Sequence, residues 1–328
     1  EGIGLKKNDN IIIPAINFIA AANLSFKLGA NIYLADVDKF TGQMRPSDLI
    51  QCIKKNKIKK IKAFFIMHNG GSPNFFSEFY KIKKKYKTII IEDACHALGS
   101  KYSIKKNYIV GSCKFSDITT FSFHPVKTIT TGEGGMVTTS NKKLFNKFEV
   151  LRNHGMIRKK TTRKNYHWSY EVLSPGYNFR LSDINCALGF SQLKKLNQII
   201  KKRNKIAKIY NKELNEYKNI INIPVIPKDQ QSAWHLYIIN INFKKLKINK
   251  ETLIKMLYEK KIITQVHYIP IYKHPFYKKL NKGKFINTEN YFKSCLSLPI
   301  YFDLGTKEQS WVIYNIKKII SNSVKRYG

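Results

Sequence analysis

Two short strings carry side chains that could act together on one electrophilic ligand. In KTIIIED (residues 87–93) an apolar run ends in Glu92-Asp93. In FSFHPVKTITTGEGGMV (residues 121–137) Lys127 stands between a run ending in Ser122-Phe123-His124 and a turn holding Gly132, Gly134 and Gly135. In open α/β sheets ligands bind beyond the carboxyl ends of the strands, where a carboxylate such as Asp93 would meet them. Set against a pyridine nitrogen, that carboxylate keeps the nitrogen protonated, so the ring can accept electrons from a carbanion. A lysine amine condenses with an aldehyde to form a Schiff base. The Ser122 hydroxyl can donate to a phosphate, and the glycines permit positive φ and close backbone approach. These are the requirements of pyridoxal 5′-phosphate (PLP).

Each residue also has a plainer reading. Asp93 alone is read more readily as a helix N-cap. His96, three residues later in ACHALGS, could lie over or beside a ligand ring, or be an ordinary helix histidine. Lys127 is one of 52 lysines and could sit on the surface beside a hairpin. The specificity lies in the whole second string and in its distance downstream of the aspartate.

The elements that must position these residues are legible as alternating patterns. NIIIP (10–14), NIYLADVD (31–38), KIKAFFIMH and KTIIIEDA read as strands. Between them FIAAANLSFKLGA, ending at Gly29, PSDLIQCIKK, starting at Pro46 and Ser47, and FFSEFYKIKKKY read as helices. This rhythm predicts a mostly parallel sheet with helices on both faces, and continuous apolar runs fit strands buried on both sides. DITTFSFH and GGMVTTS add two strands. LSDINCALGFSQLKKLNQIIKKRNKIAKIYNKELNEY (181–217) reads as one long helical stretch that bridges two domains. Beyond residue 220, AWHLYIININF and ITQVHYIP read as strands and KETLIKMLYEK and KEQSWVIYNIKKIISNS as helices, the pattern of a smaller α+β domain.

Composition narrows the classes. With 328 residues, 43% of them hydrophobic, the chain is globular. Five scattered cysteines with no C-x-x-C pair point to reduced thiols and away from structural zinc. The net charge of +38 raises nucleic-acid binding. Yet 52 of 59 basic residues are Lys, spread along the whole chain, whereas groove readers favour Arg. An AT-rich coding bias is the simpler source, and a positive field would still attract an anionic substrate. The apolar runs fall short of a membrane span, and EGIGLKKND shows no signal-peptide pattern. The expected location is the cytoplasm, with no membrane or nucleic-acid partner.

IEDACHALGS and FSFHPVKTITTGEGGMV together resemble the DegT/DnrJ/EryC1/StrS family of nucleotide-sugar aminotransferases. Three further stretches agree: IIPAINFIAAANLSFKLGANIYLADVD, SPGYNFRLSDINCALGFSQLKKL and TQVHYIPIYKHPFYKKL. The resemblance spans nearly the whole chain. It implies an α/β, PLP-dependent aspartate aminotransferase-like fold (type I), with a mixed, mostly parallel sheet and a smaller C-terminal α+β domain. The expected division is 1–190 for the large PLP-binding domain, 191–218 for a connecting helix and 219–328 for the small domain.

Carried over residue by residue, Lys127 is the Schiff-base lysine and Asp93 the partner of the ring nitrogen. Phe18 takes the position that stacks on the cofactor ring. His96 and Ser122 also bind the cofactor, and Asn178 reaches the phosphate of the neighbouring subunit in a homodimer. Arg180, beside Tyr177 and Asn178, falls to the substrate with His267 and Tyr268. The implied reaction is a ping-pong transfer from L-glutamate to C4 of a nucleotide-linked 4-keto sugar. HPVKTITTGEGG and QVHYIPIYKHP look most like the branch that makes UDP-4-amino-4,6-dideoxy-N-acetyl-β-L-altrosamine for pseudaminic acid. Another UDP- or dTDP-4-keto sugar, or a non-catalytic PLP-fold regulator, is the alternative. Family members that act as dehydratases replace the lysine with His, which Lys127 argues against.

The sequence departs from the family in places. It begins after the point where a Ser-Gly-Thr-type phosphate turn is expected, so an N-terminal segment is expected to be missing. His96 stands where many members have Gln. Asn17 and Ala21 stand where the family has Thr.

Overall fold

The computed structural model describes residues 1–158, 168–281 and 283–327. A six-stranded sheet has the order Asn31–Ala35, Asn10–Pro14, Ala63–Met67, Ile89–Asp93, Ile118–Ser122, Gly135–Thr138. The first five strands run parallel, and Gly135–Thr138 pairs antiparallel with Ile118–Ser122. Helices Pro46–Lys55 and Phe76–Tyr86 cover one face through Leu49, Ile53, Phe79 and Ile82, against Ile12, Phe64 and Ile90. Ala21 and Ala22 of helix Ala20–Lys27 pack with Ile11, Ile13 and Ala63 in a second cluster. Strands buried from both sides must be apolar throughout, which is why these runs do not alternate.

Parallel strands deliver their carboxyl ends to one edge. Asn17 and Phe18 follow Pro14, His68 follows Met67, and Asp93 and Ser122 end their own strands. Met67 and Asp93 are register partners, as are Asp93 and Thr120. The returning strand begins at Gly135, opposite Ser122, so the glycine turn lies on the same edge. Gly132 has φ +77°, which only glycine adopts without strain. A Cβ on Gly135 would stand 2.7 Å from the Phe121 carbonyl oxygen, too close for any side chain.

The stretch 181–217 is not one helix. It forms Asp183–Leu193 and Leu196–Leu214, separated at Lys194–Lys195. There the hydrogen bonding tightens, Lys195 N bonding Gln192 O. The two parts have different duties. Asp183–Leu193 docks on the lysine loop: Gln192 Oε1 accepts from Thr130 N, and a Cβ on Gly189 would meet Thr131 at 2.6 Å. Leu196–Leu214 starts with Ile199 against Ala94, Phe121 and Ile129. It ends with Ile206, Tyr210 and Leu214 in the core of a second unit.

That second unit has an antiparallel sheet, Ile221–Asn222, Tyr237–Ile241 and Cys295–Leu298, against helices Lys250–Glu259 and Thr306–Tyr327. ITQVHYIP does not join this sheet as a strand. It makes a single bridge, Gln265 with Ser297, and then turns at Pro270, which has no N–H to continue a ladder. No helix among the described residues is long and apolar enough to cross a membrane.

Arg203 ties the long helix to the rest. It is 5% exposed, and its Nη1 donates to the carbonyls of Trp234 (2.9 Å), His235 (3.3 Å) and Ile300 (3.0 Å). Burial lowers its pKa to about 10, so it remains a cation at neutral pH. Carbonyl dipoles, rather than a carboxylate, meet its Nη1, while its Nε is buried without a partner. Arg203→Met keeps most of the apolar stem and leaves these carbonyls without that donor. It should cost on the order of 3 kcal/mol, read as a lower urea midpoint. An unchanged midpoint would show that the guanidinium does not hold the two elements together.

Candidate active site

Asp93 ends its strand at the carboxyl edge. No helix follows it: residues 94–99 form turns, and Asp93 Oδ1 accepts the Cys95 N–H at 3.2 Å. The helix N-cap reading of Asp93 and the helix-histidine reading of His96 therefore both fail. Successive strand residues point to opposite faces, so Glu92 turns away from Asp93 into the protein. There it is 1% exposed and fully engaged. Ser116 Oγ (2.9 Å) and Thr119 Oγ1 (2.7 Å) donate to Oε2, while Tyr102 Oη donates to Oε1 and His68 Nε2 lies 3.3 Å from it. Burial pushes the Glu92 carboxyl up, but hydrogen bonds and the charge of His68, with hydrogen bonds from Tyr102 and Thr119, outweigh it and hold it below its ordinary value.

Lys127 reaches the same edge from the loop 123–134, which is closed by Phe123 N to Gly134 O (2.9 Å) and Thr131 N to Phe123 O (3.0 Å). Its own N–H bonds His124 O at 2.9 Å. Burial lowers the pKa of its amine, opposed by the nearby Cys95 and Asp93. Asp93 and Lys127 thus share one electrostatic site. The amine spends more time as a free base than a surface lysine does.

Four further side chains face this pair. His96 is 2% exposed, with Nε2 2.9 Å from the Tyr268 hydroxyl. Burial, followed by His235, Lys127 and His267, takes its pKa well down. His235 is held down by burial, Lys127 and Arg203. His267 falls to about 4 through burial and Lys127, and its Nδ1 lies 2.8 Å from Ser297 Oγ. Burial raises Tyr268, aided by Asp93 and Cys95. All three histidines are therefore neutral at physiological pH. Phe18 is open to solvent, its ring centroid 5.9 Å from that of Tyr268. Ser122 is partly buried, and its Oγ accepts the His124 N–H at 3.4 Å.

Asn178 and Arg180 lie elsewhere. Asn178 bridges Asn153, and Arg180 Nη1 donates to Asn153 Oδ1 at 2.7 Å, both on an exposed segment. None of the residues around Asp93 and Lys127 is among their partners. Conversely, sequence reasoning passed over His235, whose place in AWHLYIIN is that of any core histidine in a strand. It also named Glu92 without seeing its cage, although a charged residue within an all-apolar run was a signal of one.

The residues present fit PLP. Asp93 is a carboxylate with an oxygen to spare for a ring nitrogen, and the Lys127 amine is shifted toward its nucleophilic form. Phe18 offers an open ring face, and Ser122 and the glycine turn offer donors for phosphate. Asn17, next to Phe18, is 2% exposed with neither amide atom hydrogen-bonded, a polar group left over by the protein alone.

Comparison with known proteins agrees with this chemistry. The model of the DegT/DnrJ/EryC1/StrS aminotransferase family matches residues 1–317. UDP-4-amino-4,6-dideoxy-N-acetyl-beta-L-altrosamine transaminase of Campylobacter jejuni (serotype O:23/36, strain 81-176) is 37% identical over 329 residues, covering 99% of this chain and 82% of that protein. Spore coat polysaccharide biosynthesis protein SpsC of Bacillus subtilis is 33% identical over 326 residues, 98% of this chain and 81% of that one. Among solved structures, Helicobacter pylori PseC, an aminotransferase involved in pseudaminic acid biosynthesis, superposes with a TM-score of 0.86 at 30% identity. It covers 96% of this chain and 81% of PseC.

The Glu92 cage gives a pH test. Because the folded pKa lies below the ordinary 4.5, its stabilisation is complete above that value and is lost as pH falls through the folded one. Glu92→Gln should lower stability at about pH 7 by on the order of 3 kcal/mol. The deficit should shrink as both proteins are acidified to about pH 3, read from urea midpoints. A deficit independent of pH would mean that the charge of Glu92 contributes nothing.

Proposed function

The chain belongs to the DegT/DnrJ/EryC1/StrS aminotransferase family, and on that premise we propose that it moves an amino group from L-glutamate to C4 of a UDP-linked 4-keto-6-deoxy-N-acetylhexosamine, for surface-glycan or nonulosonic-acid synthesis. Membership makes it a PLP-dependent aminotransferase of nucleotide sugars. The observation that carries the reading is the meeting of Asp93 and Lys127 at one sheet edge. The names of the Campylobacter relative and of PseC support the sugar.

Bound PLP supplies a protonated pyridine ring that takes up the electron pair left when a substrate carbon loses its proton. Asp93 holds the proton at the ring nitrogen. Lys127 would hold the cofactor through its aldehyde, and its Nζ, as a free amine, would take the proton from the substrate carbon. Its burial serves both tasks, since each needs the unprotonated amine. Phe18 covers the ring, and Ser122 with the glycine turn holds the phosphate. His267 and Tyr268 border the space left for the sugar.

We place the enzyme in the cytoplasm as a homodimer. Its five cysteines are unpaired, which suits a reducing compartment. Ile184 (85% exposed), Phe179 (67%) and Phe190 (63%) lie within eleven residues of one another and stay largely exposed in the single chain, with only one face of Phe179 stacked on Tyr177. A second copy across a two-fold axis would bury them. It would also bring Asn178 to the other subunit's phosphate and Arg180 to its substrate.

Two experiments test this. Incubated with PLP, L-glutamate and a panel of UDP- and dTDP-4-keto sugars, the protein should release 2-oxoglutarate and aminate the UDP-N-acetyl sugar fastest. No turnover with any sugar would overturn the reading. Mixing Lys127→Ala with Asn178→Asp subunits, each nearly inactive, should restore activity, because one site of the heterodimer keeps both residues. Heterodimers as inactive as their parents would place Lys127 and Asn178 in one subunit's site.

A further inference from the structure

The amino edge of the sheet, opposite Asp93 and Lys127, gathers lysines that lie far apart in the sequence. Each crossover helix runs back against its parallel strands, so helices Ala20–Lys27, Pro46–Lys55 and Phe76–Tyr86 all end there. All three carry lysine in the last turn, and the loops that follow continue it, with KKNKIKKIK at 54–62 and KKYK at 84–87. Hydrogen bonds stitch these loops and residues 6–10 into one surface. Asn10 Nδ2 donates to Lys60 O (2.8 Å), Lys62 N to Asn10 O (2.9 Å), Ile89 N to Lys62 O (3.2 Å) and Asn8 N to Gly29 O (2.8 Å). Eleven lysines within residues 6–7, 27, 54–60 and 84–87 are exposed on it.

Two plainer causes fall short of this density. A helix carboxyl end carries about half a negative charge, so three ends call for about two lysines and not the eleven present. Coding bias sets the average, 52 lysines in 328 residues, whereas residues 54–62 hold six in nine. Residues 27–30, 54–62 and 84–88 contain no acid. Asp117, at the same edge, is taken by Lys83 at 2.7 Å, and Asp9 accepts the Lys6 N–H at 2.9 Å. The field at this edge is therefore positive and largely uncompensated.

The kind of anion follows from what the edge lacks. It has no Arg to grip a base or a phosphate bidentately. Tyr86, the one aromatic residue of these segments, packs against the apolar core with Lys85 over its ring, so it is not free to stack on a base. Ammonium point charges spread over a loop surface suit a layer of anionic headgroups, which attracts every lysine within a Debye length. The intervening strands are five residues long, about 16 Å, so an attached protein keeps its catalytic edge clear of the headgroups.

We propose that this lysine edge attaches the protein, peripherally and reversibly, to an anionic phospholipid surface such as the cytoplasmic leaflet. Read along the chain, these lysines look dispersed and point to no membrane partner; the parallel topology is what gathers them. The inference stands apart from the aminotransferase reading, because no residue of the catalytic edge takes part.

Flotation of the PLP-loaded protein with lipid vesicles tests it. The protein should bind vesicles of about three parts phosphatidylserine to seven of phosphatidylcholine in about 0.05 M NaCl, and leave them in about 0.5 M NaCl. No binding at the lower salt would overturn the proposal. Lys55→Gln, Lys59→Gln, Lys60→Gln and Lys84→Gln together should weaken binding about tenfold or more, with kcat and the urea midpoint unchanged. Lys201→Gln, Lys205→Gln, Lys208→Gln and Lys245→Gln remove the same charge from exposed positions on the long helix and the smaller unit, and should weaken it less than about threefold. Equal losses would show net charge acting without a site. The unaltered protein gives the same contrast without any substitution: anionic vesicles should slow acetylation of lysines at 54–62 and not at 201–212, and equal protection would overturn the proposal. Polyuridylate that strips the protein from the vesicles at equal phosphate concentration would make nucleic acid the occupant instead.

Discussion

The site depends on a buried carboxylate that faces away from it. Glu92 and Asp93 are neighbours in one strand, so their side chains must leave it on opposite faces. A buried carboxylate is costly unless hydrogen-bonded, and Glu92 is surrounded by His68, Tyr102, Ser116 and Thr119. That cage pins the end of the central strand. Asp93, with one oxygen on the Cys95 N–H, is left facing the edge where parallel strands converge. Lys127 comes to the same edge because the glycine turn folds the next strand back beside its predecessor. The amine and the carboxylate are thus set by backbone packing before any cofactor arrives.

A second set of contacts links this edge to the smaller unit. His96 packs beside His235 and is hydrogen-bonded to Tyr268, and Arg203 secures the carbonyls of Trp234 and His235 from the long helix. Asn240 Nδ2 to Phe40 O, at 2.6 Å, and the Asp36 carboxylate on Thr288 extend the junction. The geometry around Tyr268 therefore depends on how the two units meet. The histidines nearest Lys127 are neutral, so they do not repel its proton as cations would, and they are suited to uncharged groups of a sugar ring.

Much of this was legible in the sequence, and the limits have physical causes. Strands such as AFFIM and IIIED stood out because burial on both faces demands continuous apolar residues. Asp93, Lys127 and the glycine turn stood out because their types and order match a single chemistry. The break at Lys194–Lys195 was hidden, since apolar spacing runs on through it while the packing partners change. ITQVHYIP alternates like a strand, but Pro270 and a single bridge to Ser297 make it a loop. The Glu92 cage and the Arg203 carbonyls join residues far apart in the chain with no periodic signature. Asn178 and Arg180 sit on an exposed segment of one chain, so their expected part in the site calls for a second copy.

The central claim is that Asp93 selects one lysine among 52 to hold PLP. Incubating the protein with PLP, reducing with borohydride and mapping the phosphopyridoxyl group by peptide mass spectrometry tests it most directly. The account predicts the label on Lys127 at close to one per chain, with little elsewhere. Label spread over surface lysines, or concentrated on another one, would contradict it.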